Sequence, residues 1–286
     1  MSPGGAAAPA ASRGAVPGLA VLPGGAPASV CGPGCVTRSA PRVSAAEVAR
    51  RYAALAYEIG LGVAQGERLA GPRALRARAR GILGALGVEL ERGRAGRRLT
   101  VGGGSGPGTL IVANHISWLD VVALLAVEPV TVLAKREVGQ WPVIGTLARR
   151  AGSQFIDRDG LRQLPGVVSE LSDTLRSGRS VLVFPQATTW CSVSGGRFRR
   201  ATFQAAADAG APVRPVTLRY YQHGARSTTA AFLGDETFGA SLHRVARARG
   251  LTVRVTAHTP LYGSDRGKLA ADAQAAVGAE ELAAHL

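Results

Sequence analysis

Thr109-Leu110-Ile111-Val112-Ala113-Asn114-His115-Ile116-Ser117-Trp118-Leu119-Asp120 runs directly into a second apolar stretch that ends at Val127. Its first five residues form a short, β-branched, apolar run of the length and composition of a buried strand. Helix signals follow over residues 117–127, because Ser117-Trp118-Leu119-Asp120 fits a capping box and apolar residues continue beyond it. A buried strand that turns straight into a helix is one arm of a βαβ unit, so this stretch points to an α/β fold.

The same rhythm extends to both sides. Strands are expected over 88–92 and 99–101, around a polar turn, then over 130–134, 154–156, 180–184, 213–221 and 251–258. Helices are expected over 167–175, 201–209 and 268–286. The expected architecture is α/β, a mixed, largely parallel sheet flanked by helices, occupying residues 88–286. Upstream, Ser44-Ala45-Ala46-Glu47 makes a capping box, and Val48, Tyr52, Leu55, Ile59 and Val63 share one helical face. Gly71-Pro72 breaks that helix. A second amphipathic segment then sets Leu75, Ala79, Ile82, Leu83 and Leu86 against Arg73, Arg76, Arg78 and Arg80, giving an N-terminal helical hairpin at 43–87. Residues 1–42 are rich in Ala, Gly, Pro and Ser, without helical or strand period, and read as a disordered tail.

The 286 residues are 46% apolar, enough for one catalytic domain with a real core, and carry a formal charge of +15. Lys135 and Lys268 are the only lysines, so the basicity is arginine. Such a chain seeks anionic partners: nucleic acid, phosphorylated small molecules or an anionic lipid surface. It has no zinc-finger spacing, RNA-recognition aromatic motif or helix-turn-helix signature, so nucleic acid is not an expected partner. Three cysteines, Cys31, Cys35 and Cys191, are an odd number in a long chain, which fits a reducing, cytoplasmic setting. Cys31 and Cys35 have no second Cys or His pair beside them in sequence, so they read as tail thiols and no metal is expected. There is no run of about eighteen apolar residues and no signal-peptide pattern. Contact with a membrane is therefore expected to be peripheral.

A histidine on a strand-to-helix loop, with an aspartate five residues later in the first helical turn, can place an imidazole against a carboxylate. The carboxylate then fixes the ring tautomer and stabilises the imidazolium formed when the other nitrogen takes a proton from a hydroxyl. His115 and Asp120 fit that description. They equally fit a capping box in which Asp120 only serves the helix N-terminus, and spacing alone leaves both readings open.

Asn114-His115 followed by Asp120, in the pattern N-H-x-x-x-x-D after an apolar strand, resembles the first motif of the glycerolipid acyltransferases that include lysophosphatidic acid acyltransferase. Gly152-Ser153-Gln154-Phe155-Ile156-Asp157-Arg158 is similar to the second motif of that family. Phe184-Pro185-Gln186-Ala187-Thr188-Thr189-Trp190 is similar to the third and Ala211-Pro212-Val213-Arg214-Pro215-Val216 to the fourth. Four ordered blocks between Thr109 and Tyr221 carry the resemblance. It implies transfer of an acyl group from a thioester, acyl-CoA or acyl carrier protein, to the free hydroxyl of a lysophospholipid, with His115 as base, Asp120 as its partner and no cofactor. By the same resemblance Asn114, Ser117, Phe184, Pro185, Gln186 and Thr188 are candidate substrate-contacting residues, and Arg158 and Lys135 candidate phosphate ligands.

The third block departs from the usual Phe-Pro-Glu-Gly-Thr-Arg. Gln186 keeps hydrogen bonding to a polar head group without charge, Ala187 adds a Cβ where glycine is usual, and Thr189 cannot bind phosphate as a cation. Arg197, Arg199 and Arg200 are candidates to supply that cation. These departures favour either a lyso-aminolipid acceptor, such as lyso-ornithine lipid, or a catalytically silent lipid-binding relative. The arginine-rich hairpin is a candidate for lying on an anionic membrane surface. His223, His243, His258 and His285 are assigned no role.

Overall fold

Leu110–Ala113 form strand β2, and all four residues are fully buried. A strand covered on both faces reads as a continuous apolar run, and each large aliphatic side chain buried there contributes about 1.5–3 kcal/mol. The computed structural model describes residues 31–36, 40–93, 96–101, 106–156, 164–193, 195–234 and 236–283. Around β2, the described residues form β1 (Val88–Arg92), β3 (Thr131–Lys135), β4 (Gln154–Ile156), β5 (Val181–Val183), β6 (Val213–Gln222), β7 (Ala225–Arg226) and β8 (Leu251–Ala257). The sheet order is β1-β8-β6-β2-β5-β3-β4, with β7 paired to β6. Pairing is parallel except where β6 meets β8 and β7.

The helices are α1 (Ala45–Gln65), α2 (Pro72–Ala85), α3 (Leu119–Val127), α4 (Arg136–Gln140), α5 (Pro142–Arg150), α6 (Leu164–Arg176), α7 (Ala201–Ala209), α8 (Phe238–Arg247) and α9 (Arg266–Ala283). They form two layers. Thr217 on β6 donates its hydroxyl to the Val277 carbonyl of α9 at 3.0 Å, whereas Tyr220, three residues on, reaches Asp120 of α3. Alternate residues of a strand face opposite sides, so α9, with α6 and α7 beside it, covers one face and α3, with α1 and α2, the other.

Residues 99–101, expected as a strand, are not one. The Glu128 carboxylate takes the Leu99 N–H at 2.8 Å and also accepts from the backbone and hydroxyl of Thr100, so one side chain satisfies groups that a neighbouring strand would otherwise bind. Sequence periodicity also passed over α4, α5 and α8. Residues 31–36 and 40–42, compositionally part of the tail, are held against the body: Cys31 is buried, Pro33–Cys35 form a 3-10 turn, and Arg42 bridges to Ala248.

Candidate active site

His115 lies two residues beyond β2 and Phe184 one residue beyond β5. These strands are parallel neighbours in the register Leu110 to Val181 and Val112 to Val183, so their C-terminal ends lie side by side. Chain connections leave β2 and β5 in opposite directions across the sheet, and such a switch point opens a crevice at the strand ends. The first and third sequence blocks meet there because of this register.

Asp120 is fully buried and His115 is 19% exposed. Nδ1 of His115 lies 2.9 Å from Oδ2 of Asp120. The same oxygen accepts the backbone N–H groups of Ile116 at 2.6 Å and Ser117 at 2.8 Å, while Oδ1 accepts the Tyr220 hydroxyl at 2.6 Å. A carboxylate offers only acceptors, so the ring proton belongs on Nδ1 and Nε2 keeps its lone pair. Half of the capping box also forms: Asp120 accepts the Ser117 N–H with the oxygen that orients the histidine, whereas the Ser117 hydroxyl accepts from Leu119 and not from Asp120. Burial, and then the charge of Asp120, push the Tyr220 phenol well above its ordinary value, so it remains a donor. Phe184 stacks on the imidazole with ring centroids 4.0 Å apart.

Behind the ring, the third block is stitched to the first. The Gln186 side-chain oxygen accepts the His115 N–H at 2.8 Å, and its amide nitrogen donates to the Gly195 carbonyl. The Trp190 N–H donates to the His115 carbonyl at 2.8 Å. Thr189 donates its hydroxyl to the Phe232 carbonyl at 2.9 Å, and the Phe232 N–H donates to Ile116 at 2.8 Å. The segment around Phe232 therefore ties both blocks together.

A family model described as Acyltransferase matches residues 97–219. The chain is 38% identical over 176 residues to the 1-acyl-sn-glycerol-3-phosphate acyltransferase of Neisseria meningitidis, a match covering 62% of this chain and 67% of that one. This chain belongs to the glycerolipid acyltransferase family. It is also 38% identical over 170 residues to the lyso-ornithine lipid O-acyltransferase of Pseudomonas aeruginosa, covering 59% of this chain and 66% of that one. The crystal structure of the 1-acyl-sn-glycerophosphate (LPA) acyltransferase of Thermotoga maritima shares the fold, with a TM-score of 0.61 over 84% of this chain and 95% of the other at 17% identity.

As a glycerolipid acyltransferase, the chain spends several candidate contact residues on architecture. Asn114 is fully buried and pairs both ends of its amide with the backbone of Leu218, continuing the ladder between β2 and β6. Ser117 is fully buried and its hydroxyl accepts the Leu119 N–H. Gln186, expected at a polar head group, has both amide ends engaged inside the protein. Lys135 ends β3 and pairs with Glu137 at 2.7 Å on the surface. Pro185 is buried, and its carbonyl accepts the Arg199 N–H at 2.9 Å, closing the third-block loop. Thr188 is partly exposed beside it; Arg197, Arg199 and Arg200 are exposed on the same loop. Arg158 lies outside the described residues.

Within the family fold the hairpin is fastened to the catalytic domain. Leu75, Ala79, Leu83 and Leu86, the apolar stripe of α2 and the residue after it, are buried in the core. Arg76 and Arg80 donate to the carbonyls of Val127 and Ala126, the last residues of α3, where a cation also suits the helix dipole. Arg78 pairs with Glu58 at 2.5 Å, and Arg51 donates to the carbonyls of Ala246, in the last turn of α8, and Ala248, just beyond it. Those arginines are engaged by the protein, and the α2 stripe is not available to a lipid. Among the described residues no helix is long and apolar enough to cross a membrane.

Sequence reasoning missed Tyr220, which sits 100 positions from its partner, and the Phe232 segment, whose contribution is entirely backbone. Only the alternation along β6 hinted that Tyr220 faces α3.

Proposed function

We propose that this acyltransferase moves a fatty acyl group from acyl-CoA or acyl carrier protein to the free hydroxyl of a lysophospholipid, converting lysophosphatidate to phosphatidate. The observation that carries the reading is the His115 to Asp120 contact at 2.9 Å, which occupies Nδ1 and leaves Nε2 as the nitrogen available to act as base. Nε2 takes the proton of the acceptor hydroxyl as its oxygen attacks the thioester carbonyl. Asp120 stabilises the imidazolium, and the tetrahedral intermediate collapses by expelling the thiolate, which takes the proton back from His115. The new ester bond replaces the thioester bond without an acyl-enzyme. The N–H groups of His115, Ile116 and Ser117 are already engaged, so the donor to the developing oxyanion is not one of them.

A second reading, acylation of a lyso-ornithine lipid, is favoured by the third block. Thr189 replaces the usual arginine and donates to Phe232, and Lys135 is paired with Glu137, so neither offers an uncommitted cation for a phosphate. Under the phosphate reading Arg197 and Arg199 supply that charge. Peripheral membrane attachment fits the exposed Val63, Trp141 and Val143, which lie near Arg149 and Arg150 where the end of α1 meets α5.

The test is acyl transfer from labelled acyl-CoA and acyl carrier protein into lysophosphatidate, glycerol 3-phosphate and lyso-ornithine lipid on anionic vesicles. His115→Ala is expected to lose about 10²- to 10⁴-fold, and Asp120→Asn less, because its amide can keep an oxygen towards Nδ1. Full activity in His115→Ala would rule out the base; no product with any acceptor from folded protein would favour the silent relative.

A further inference from the structure

Two cysteines close in sequence, Cys31 and Cys35, meet Cys191, 160 positions from Cys31, beside the third-block loop. The sulfur atoms of Cys31, Cys35 and Cys191 all lie within 4.8 Å of one another, and all three are thiols in the structure. Nothing in the acyl-transfer chemistry uses them. We propose that Cys31, Cys35 and Cys191 form a three-thiolate site for a soft divalent metal ion such as zinc, fastening the segment around Pro33 to the catalytic loop.

The local structure is built for convergence. Cys31-Gly32-Pro33-Gly34-Cys35 places two cysteines at a spacing within the C-x2–4-C range of structural zinc sites. The Cys35 N–H donates to the Gly32 carbonyl at 2.9 Å, closing the 3-10 turn and bringing both sulfurs to one side. Cys191 completes the trio from the other side, and its backbone N–H donates to the Cys31 sulfur at 3.2 Å. An amide aimed at sulfur stabilises thiolate charge, as outer partners of metal ligands do. Zinc–sulfur bonds of about 2.3 Å put tetrahedral sulfurs about 3.8 Å apart, so the trio needs to tighten by no more than about 1 Å. A fourth position would be left for water.

Without a cation, three thiolates cannot share so small a volume. A divalent ion reverses that balance, displacing up to three protons into solvent as the three metal–sulfur bonds form. Cys31 also lines a cavity of about 580 Å³ between residues 31–36 and 40–42 on one side and α8 on the other, which gives an ion a way in. Arg42 and Arg247 line the same cavity beside the Arg244–Glu236 ion pair, and the lining's excess of arginine over its one carboxylate favours the net negative charge of a three-thiolate site. The consequence for the enzyme is positional. Cys191 follows Trp190, whose N–H holds the His115 carbonyl, so an ion at Cys191 braces the loop behind the imidazole.

The experiment titrates cobalt(II), as a spectroscopic probe, into the full chain prepared metal-free under reducing conditions. The expected result is a thiolate-to-cobalt charge-transfer band saturating at one ion per chain and displaced by zinc, with at least a tenfold loss of affinity in Cys35→Ser and in Cys191→Ser. Alkylation of the wild-type chain supplies a readout independent of variant folding: zinc should protect all three thiols together. No band in the wild type, unprotected thiols, an unchanged titration in both variants, or a disulfide among these cysteines in place of bound metal would each overturn the site.

Discussion

The hydroxyl of Tyr220 donates to Oδ1 of Asp120 at 2.6 Å inside a fully buried pocket, while His115 engages Oδ2 of the same carboxylate. One carboxylate thereby links the β2 loop, the start of α3 and the middle of β6. Removing the phenol oxygen leaves a buried acceptor without its donor, at a cost of about 1–3 kcal/mol. Tyr220→Phe is expected to lower stability by that amount in urea denaturation. It should also reduce kcat/KM by less than His115→Ala does, since Ile116 and Ser117 still hold the other oxygen. A variant as stable as wild type would show that this hydrogen bond does not support the pair.

Gln186 stands where the family usually has glutamate, and its two amide ends explain the difference. The oxygen accepts from His115 and the nitrogen donates to the Gly195 carbonyl. An ionised glutamate has no donor for that carbonyl, so Gln186→Glu should destabilise the loop by about 1–3 kcal/mol and lower kcat, although it restores the common residue. Denaturation midpoints and kcat measured together test this; a gain in both would mean that the family's carboxylate has a role here that glutamine does not fill.

Ala187 adopts φ 62°, in the left-handed region where a Cβ costs about 1–2 kcal/mol. Glycine, the usual residue in this block, removes the collision but adds freedom to the unfolded chain. Ala187→Gly is expected to stabilise the protein by somewhat under 1 kcal/mol, with activity retained. A fall in melting temperature would indicate that the alanine methyl contributes packing that outweighs its backbone strain.

The fold was legible wherever hydrophobic period and burial coincide. Thr109 to Val127 announced strand, loop and helix, and Gln154 to Ile156 and Ala201 to Ala209 matched their elements to the residue. Legibility failed where a side chain replaced a backbone partner, as Glu128 does for Leu99 and Thr100, and where short helices such as α4 carry too few residues to show a period. In the site, the His115 and Asp120 contact could be anticipated because five residues separate the partners. Asn114 and Gln186 were read as substrate contacts because an amide in a motif does not declare whether it faces a ligand or the protein's own backbone. Tyr220 and the cysteine trio depend on long-range register, which no local pattern encodes.

Glu128 gives the protein an acid-sensitive joint. Its side chain is 10% exposed, and although burial alone would raise its carboxyl, the Thr100 hydroxyl, the Arg98 guanidinium and the Leu99 N–H together hold it below its ordinary 4.5. A carboxyl lowered by folding contributes stability that is fully present above its unfolded value near 4.5 and is lost as pH falls through its folded value. Glu128→Gln abolishes that titration and leaves an amide facing donors, so at pH 7 it should cost about 1–3 kcal/mol. Melting temperatures of wild type and variant are therefore expected to converge as pH falls from 4.5 through the lower folded value, below which the wild-type carboxyl is also neutral. A gap that stayed constant from neutral to acid pH would assign the loss to altered packing and remove Glu128 from the protein's acid response.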